Sequence, residues 1–340
     1  MQDCRRQIKT LTTSDTQKRQ PWVDLLRGFA MMAILLDHTE IYFTGDNVIP
    51  YNLYVADVLM LFFFLSGYLF LKPGHAFSIQ HKTKSILRSL LLPYFVFTLL
   101  LAVPKFLFHE SEMSMGQIAA SILLGQASWF VAALIVAELL FALAIHFSRE
   151  RLLPLTFFAL LSLLIAIVFN HLNLQLPWQV ENALLAVPFL FLGYTFHHYE
   201  SSLTKRRKTV LAIILLVLFL TAKLLVIDKQ ISLLVNPLRI SNFIIFLTST
   251  LSFIFLLIVL ARQIPECKWL QWIGRHSLVY YFFCGAAPAL VTFLLRRLGL
   301  SYTGNYLLVL LAFSLVVALT TIIAFLIYRY LPKLVGKTRK

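Results

Sequence analysis

The chain has 340 residues, of which 59% are hydrophobic and only 13% are charged, whereas a soluble domain carries about 25% charged residues. The mean hydropathy is +0.81, and every long polar stretch is under about 25 residues, too short to bury a core of its own. These values exclude a soluble globular protein and predict an all-α, polytopic transmembrane helical bundle.

The net charge of +15 could indicate a nucleic-acid partner, but the distribution of the cations predicts a membrane topology instead. With the N-terminus in the cytoplasm, 23 of the 30 Lys and Arg residues fall in inner segments and five in outer segments, as the positive-inside rule favours. Both termini are therefore predicted to be cytoplasmic, and no nucleic-acid partner is expected. Apolar stretches predict about ten membrane-spanning helices, near residues 22–43, 51–71, 89–108, 127–147, 152–169, 180–199, 209–226, 241–261, 277–295 and 304–327.

The domain organisation follows from this topology. Residues 1–20 are basic and are predicted to form a cytoplasmic tail rather than a removable signal peptide, because no small-residue cleavage site follows them. Residues 21–330 are predicted to form a single integral membrane domain, and residues 331–340 a second basic cytoplasmic tail. The three cysteines, Cys4, Cys267 and Cys284, lack a metal-binding or redox spacing, and no metal is expected.

The first predicted span is unusual because it carries Asp24, Arg27, Asp37, His38 and Glu40. A charge near the bilayer centre costs about 2.5 to 3.5 kcal/mol, so such groups usually face a bundle interior. Arg27 and His38 are eleven residues apart, which places them within about 20° on one helix face and about 16 Å apart along it. Asp24 can pair with Arg27. The alternative is a helix with interfacial charges and a snorkelling Arg27.

The second span contains a pair of small residues, Ser66 and Gly67, and a buried acid, Asp57. Small residues let a neighbouring helix or a ligand approach the backbone closely, and helix packing alone explains the pair. Asp57 could pair with Arg27 or His38.

The inner loop 72–88 and the helix after it combine cations with a helix breaker. Lys82, Lys84 and Arg88 suit anionic lipid headgroups, or equally the phosphates of a nucleotide-containing ligand. Pro93 then interrupts the third span early and is expected to kink it.

The apolar run 118–147 is too long for one span, so a short interfacial or re-entrant piece near Gly125 is predicted to precede the fourth span. Trp129 lies at the expected outer boundary, where aromatic belts form. Glu138, in the middle of the span, is expected to pair with a buried cation or to stay protonated. The segment 262–276 is predicted to lie along the interface through Trp269 and Trp272.

Several of these stretches together resemble acyltransferase family 3, the multi-pass O-acyltransferases that modify bacterial surface sugars. The similarity covers about residues 20–285. Members of this length resemble fucose 4-O-acetylase-like and exopolysaccharide acyltransferases. Cys284 departs from the pattern, because many members carry a His there. The matching stretches, in family order, are RGFAMMAILLDH, FFFLSGYLF, RSLLLPYFVF, SWFVAALIVAELLF, FLFLGYTF and WIGRHSLVYYF.

The resemblance implies a function for the domain 21–330. Acyl-CoA, with acetyl-CoA expected, would enter from the cytoplasm as donor substrate, and no cofactor would remain bound. The acceptor would be the hydroxyl of a carbohydrate, either a surface polysaccharide or a lipid-linked sugar, and it would approach from the outer side. The protein would lie in the cell (inner) membrane, in contact with membrane lipids.

The resemblance and the residue types together assign roles to the site. His38 is the expected general base, since an imidazole titrates near a pKa of about 6.5. Asp37, Asp57 or Glu138 could orient it. Arg27 suits the phosphates or carbonyls of the donor. The full prediction is a catalytic group of His38, Arg27, Asp37 and Glu138, and a donor-binding group of Arg27, Lys84, Arg88, Ser66, Gly67 and Trp129.

A transporter or export factor for a polysaccharide or another amphiphile is the alternative, because buried charges and proline-broken helices also suit transporters. The chain shows no internal sequence repeat, which favours the enzyme. Hydrolysis or transfer of acyl-CoA by the purified protein would discriminate between the two.

Overall fold

The structure is a computed structural model that describes residues 20–71, 77–108, 114–199 and 205–336. The predicted N-terminal tail lies outside these residues except for Gln20, whereas residues 331–336 of the predicted C-terminal tail are described. The first half of the chain forms α1 (Pro21–Thr44), α2 (Val55–Tyr68), α3 (Ile79–Ile86), α4 (Leu92–Phe108), α5 (Met115–Leu123), α6 (Trp129–Ser148) and α7 (Leu152–His171). The second half forms α8 (Val180–Tyr199), α9 (Lys205–Asp228), α10 (Phe243–Ala261), α11 (Lys268–Arg275), α12 (Ser277–Phe283), α13 (Ala286–Arg297) and α14 (Tyr306–Tyr330).

Strand structure in the described residues is limited to one small hairpin. Strands β1 (Leu233–Leu234) and β2 (Arg239–Ile240) pair antiparallel, with Leu233 opposite Ile240. The prediction of an all-α class is therefore confirmed apart from these two short strands.

Six helical stretches of the described chain are long and apolar enough to cross a membrane, and a bent pair, α12 with α13, would make a seventh. These helices make the chain a multi-pass membrane protein. Helix α1 is also long enough, at 24 residues, but it carries four charged side chains and is therefore not counted among the six by apolar composition. The count of about ten spans and the cytoplasmic termini stay predictions. The six stretches are Ile79–Ala102, Trp129–Ser148, Leu152–His171, Arg207–Asp228, Phe243–Ala261 and Tyr306–Tyr330.

The second and third spans differ from their predicted bounds. Helix α2 has only 14 residues, because the chain from Tyr51 to Leu53 forms a separate 3-10 turn before it. The region predicted as an inner loop is helical from Ile79, and a π-helical turn at Leu87–Leu91 connects α3 to α4. Pro93 cannot donate a backbone hydrogen bond, and the wider turn just before it accommodates that loss. The cations of this region therefore lie on a helix with a defined register.

The predicted span 277–295 is not one straight helix, because α12 and α13 meet at a bend of 52°, although together they are long and apolar enough for one span. The bend follows Cys284, which is buried. Pro288 has no N–H to donate to the Cys284 carbonyl, so the helical hydrogen-bond ladder is interrupted at this point. The break places Cys284 and Gly285 against the end of α1.

The short piece predicted before the fourth span is present as α5. A capping box between Ser114 and Gln117 starts this helix. Gly125 then turns the chain with φ of +76°, a conformation that favours glycine. The turn directs the chain into α6, which carries Glu138.

Helix α2 lies at the centre of the bundle and packs closely on α8. A Cβ added to Gly67 would overlap the backbone oxygen of Leu190, and one added to Gly193 would overlap that of Phe64. The two helices therefore touch backbone to backbone, as small residues allow in membrane bundles. Every residue of α2 except Phe62 is buried.

A second glycine contact joins α1 to α11. A Cβ on Gly28 would overlap the backbone oxygen of Leu270, and a Cβ on Gly274 would overlap that of Asp24. The segment predicted to lie along the interface is thus docked on α1, although Trp269 stays exposed. This contact brings Arg275 and the start of α12 next to Arg27.

Candidate active site

The bundle contains a cavity of about 310 Å³ between α1, α2, α3, α6 and the segment α11–α12. Phe62 and Ser66 of α2 face it, as does Leu69 directly after α2, at spacings of four and three. This register explains why Phe62 is the one residue of α2 that is not buried. The other lining residues are Arg27, Met31, Lys82, Ser85, Ser89, Leu90, Phe130, Val131, Leu134, Glu138, Gly274, Arg275, Ser277, Leu278 and Tyr281.

The charges of the cavity lining are unbalanced toward the positive. Arg27, Lys82 and Arg275 are its cations, and Glu138 is the one acid among the lining residues. Three helical segments supply the cations, so their convergence is a product of the fold. A cavity with a net positive lining attracts an anionic ligand and disfavours a cationic one.

Glu138 is the centre of a polar network in this cavity. Lys82 Nζ lies 3.0 Å from Glu138 Oε2, and the Ser66 hydroxyl donates a hydrogen bond to Glu138 Oε1. The Lys82 ammonium also lies 3.8 Å from the centre of the Phe70 ring, within the range of a cation–π contact. Of the two states predicted for Glu138, the structure shows the one paired with a cation, and that cation, Lys82, is half-buried.

The end of the cavity away from the cations is aromatic. Phe130 is eight residues before Glu138 on α6, which is about 12 Å along the helix. The Phe130 ring centre lies 5.8 Å from that of Phe62 and 5.4 Å from that of Tyr281. The backbone N–H of Phe130 donates a hydrogen bond of 3.2 Å to the Tyr281 hydroxyl. The cavity therefore has a charged end, here called its mouth, and an apolar, aromatic end.

His38 does not line this cavity. Its helical angle falls between those of Arg27 and Met31, which both do, so it lies on the same face of α1, about 10 Å beyond Met31. Its side chain is half-buried. Tyr42, one turn further on, has its hydroxyl 3.4 Å from where a Cβ on Gly285 would lie. The His38 part of this face therefore approaches the break between α12 and α13.

The acids proposed to orient His38 are engaged elsewhere. Asn47 donates a side-chain hydrogen bond to Asp37, which ties the loop after α1 to the helix. Asp57 does not pair with Arg27 or His38: Lys223 of α9 lies 2.6 Å from it. The Ser249 and Thr250 hydroxyls of α10 donate to Asp57 at 3.1 and 2.9 Å. Asp57 therefore joins α2 to α9 and α10, on another side of α2.

The structure also separates the residues predicted to bind the donor. Arg27 and Ser66 line the cavity, whereas Lys84 and Arg88 are exposed and lie outside it. Gly67 packs on α8, as the helix-packing alternative held. Trp129 is half-buried and does not line the cavity; Phe130 beside it does.

Sequence reasoning assigned no role in the site to Arg275 and Tyr281, and it did not separate Lys82 from Lys84 and Arg88 as a candidate for phosphates or lipid headgroups, whereas the structure places Arg275, Tyr281 and Lys82 in the cavity. A signal existed for Lys82. It shares one helix face with Ser85 and Ser89, at spacings of three and four, and all three line the cavity. At about 100° per residue, Lys84 and Arg88 point to the opposite side. No comparable local signal marks Arg275 or Tyr281, because α11 and α12 reach the cavity through the Gly28–Gly274 contact.

Comparison with known proteins identifies the family. The family model for acyltransferase family 3, described as an acyltransferase domain, matches residues 20–329. No curated protein and no solved structure matches the chain significantly. Among the described residues, no group of three or more His, Cys, Asp or Glu side chains is placed to hold a metal ion.

Proposed function

The chain belongs to acyltransferase family 3, and on that premise we propose that it moves an acyl group from cytoplasmic acyl-CoA to a sugar hydroxyl. The acetyl group is the expected acyl group, and a surface polysaccharide or lipid-linked glycan is the expected acceptor. The enzyme would lie in the cell (inner) membrane, with donor and acceptor approaching from opposite sides. The observation that carries the proposal is the cavity with three cations at one end and aromatic side chains at the other.

The cationic mouth suits the phosphates of the donor. Arg27 and Arg275 carry planar guanidinium groups, which can bind a phosphate through two hydrogen bonds each. Lys82 adds a third cation, held in place by Glu138 until a ligand competes for it. These groups supply the anion recognition that acyl-CoA requires.

The size of the cavity sets which part of the donor enters it. A volume of about 310 Å³ is at the lower end of the range of about 300–1,000 Å³ for small-molecule sites. We assign it to the pantetheine arm and a short acyl group. The nucleotide then stays at the mouth, next to the lining cations Arg27, Lys82 and Arg275.

His38 is the proposed general base. It takes the proton from the acceptor hydroxyl as the hydroxyl oxygen attacks the thioester carbonyl carbon. The carbon–sulfur bond then breaks, and the proton passes to the CoA thiolate. His38 lies on the cavity-lining face of α1 but beyond the cavity, so the acceptor hydroxyl would approach from the His38 side and meet the acyl group at the aromatic end.

Purified protein in lipid nanodiscs tests the proposal. With acetyl-CoA and a sugar acceptor, we expect release of free CoA thiol and an added acetyl mass on the acceptor. Arg27→Lys keeps the charge but loses the planar fork, so it should weaken donor binding more than it slows transfer. Absence of thiol release, together with loss of surface polysaccharide from cells that lack the gene, would instead support the export alternative.

A further inference from the structure

Tyr281 is the polar side chain of the aromatic end of the cavity. It lies on α12 and lines the cavity together with Phe62 and Phe130. The proposed donor would bring its acyl group to this end, because the cations that suit its phosphates are at the other. In the proposed function, the Tyr281 hydroxyl therefore lies at the end of the cavity that receives the reacting carbonyl.

The hydrogen bonding of the Tyr281 hydroxyl is half complete. Its oxygen accepts a hydrogen bond from the backbone N–H of Phe130 at 3.2 Å. A tyrosine hydroxyl also has one hydrogen to donate, and no protein acceptor takes it within the described parts of the chain. That hydrogen is available to a ligand in the cavity.

The N–H that binds Tyr281 is in the first turn of α6. Such groups have no acceptor within their own helix, and the start of a helix carries a partial positive charge. Helix α6 is 20 residues long. An N–H that donates to a hydroxyl polarises it and strengthens it as a donor. The Phe130 N–H thus holds the Tyr281 hydroxyl oxygen in place and makes its hydrogen more positive.

Along the chain, Tyr281 lies between the cation Arg275 and the segment that contacts α1 near His38. It is three residues before Cys284, where α12 ends, and Gly285 comes next to Tyr42 on the His38 face of α1. A thioester whose phosphates bind at the mouth would pass Tyr281 before it meets an acceptor activated by His38.

From this geometry we propose that the Tyr281 hydroxyl donates a hydrogen bond to the thioester carbonyl oxygen and stabilises the oxyanion of the transition state. The inference rests on the proposed function. The acceptor oxygen forms a bond to the carbonyl carbon, and the carbonyl π electrons move to the oxygen that Tyr281 holds. The carbonyl re-forms as the carbon–sulfur bond breaks, and the sulfur leaves with that electron pair. The acceptor proton goes to His38 and then to the sulfur, while Tyr281 keeps its own proton.

Tyr281→Phe is the direct test, because it removes the hydroxyl and keeps the ring. Loss of one oxyanion donor costs about 10²- to 10³-fold in kcat. We expect that loss in acetyl transfer, with the Kd for acetyl-CoA unchanged within about threefold, since the interaction forms fully only in the transition state. Tyr280→Phe is the matched control: Tyr280 is buried, bonds Thr321 at 2.6 Å and does not line the cavity. It should keep kcat within about twofold.

A second readout does not need turnover. A CoA trifluoromethyl ketone, whose hydrate resembles the tetrahedral intermediate, should bind the wild-type protein more tightly than acetyl-CoA does. Tyr281→Phe should abolish that preference, and Tyr280→Phe should keep it.

Three outcomes would overturn the inference. They are an unchanged kcat in Tyr281→Phe, an unchanged preference for the ketone, or an equal loss in Tyr280→Phe, which would assign the effect to packing of α12. A wild-type protein that prefers the ketone through Tyr281 but transfers no acetyl group would contradict the proposed function and leave the Tyr281 assignment standing. A protein that binds neither CoA compound would refute both.

Discussion

The Lys82–Glu138 pair offers a sharp test of the cavity as the donor site. Lys82→Met removes a cation from the lining, and Glu138→Gln removes the one acid among its described residues. Lys82 and Glu138 are 3.0 Å apart, and their side chains retain only 18% and 9% exposure, so bulk water screens them weakly. If phosphates bind in this cavity, the two single variants should shift donor affinity in opposite directions.

The size of the shift follows from Coulomb's law. A phosphate charge about 8 Å from one of these groups, at an effective dielectric constant of about 20, interacts with it by about 2 kcal/mol. That energy corresponds to about a 30-fold change in Kd. Lys82→Met should therefore raise the Kd for acetyl-CoA about 30-fold, and Glu138→Gln should lower it by up to the same factor. The double variant restores the charge balance and should return the Kd to within about threefold of wild type.

Titration calorimetry with acetyl-CoA, in nanodiscs at about 0.1 M salt, measures these constants. Lys84→Met is the matched control, because Lys84 is on the same helix but exposed and outside the cavity. Its Kd should change by less than about threefold, since an exposed charge is largely screened. The reasoning is refuted if Lys84→Met weakens binding as much as Lys82→Met, or if both cavity variants weaken it equally.

Three further predictions concern the base, the fold and the topology. His38→Gln keeps polarity but cannot act as the base, so acetyl transfer should fall by about 10²- to 10⁴-fold while calorimetry shows an unchanged donor Kd. Asp57→Asn leaves Lys223 buried without its countercharge and should lower the free energy of unfolding by about 3–5 kcal/mol, measured by denaturant titration in detergent, with normal transfer per folded molecule. Cysteines introduced at Asn173 and Arg207 should react with impermeant reagents from opposite sides of the membrane, and labelling of both from one side would contradict the predicted topology.

Part of the site follows from sequence, where it depends on the geometry of single helices. The eleven-residue spacing places Arg27 and His38 on one face of α1, and Met31 between them shows that this face lines the cavity. The same logic, applied to α3, separates Lys82 from Lys84. Sequence reasoning missed that distinction because it treated residues 72–88 as a loop, in which no register exists.

The sequence by itself determined a helical membrane protein, the bounds of most of its helices and its membership of an acyltransferase family. Each of these depends on local hydropathy, helical periodicity or short motifs. Tertiary structure alone decided the partners of the buried charges: Glu138 binds Ser66 and Lys82, and Asp57 binds Lys223. These partners are far apart along the chain. They meet only in the packed bundle, where Glu138 of α6 reaches α2 and α3 and Asp57 of α2 reaches α9, and no single helix encodes which neighbour it will meet.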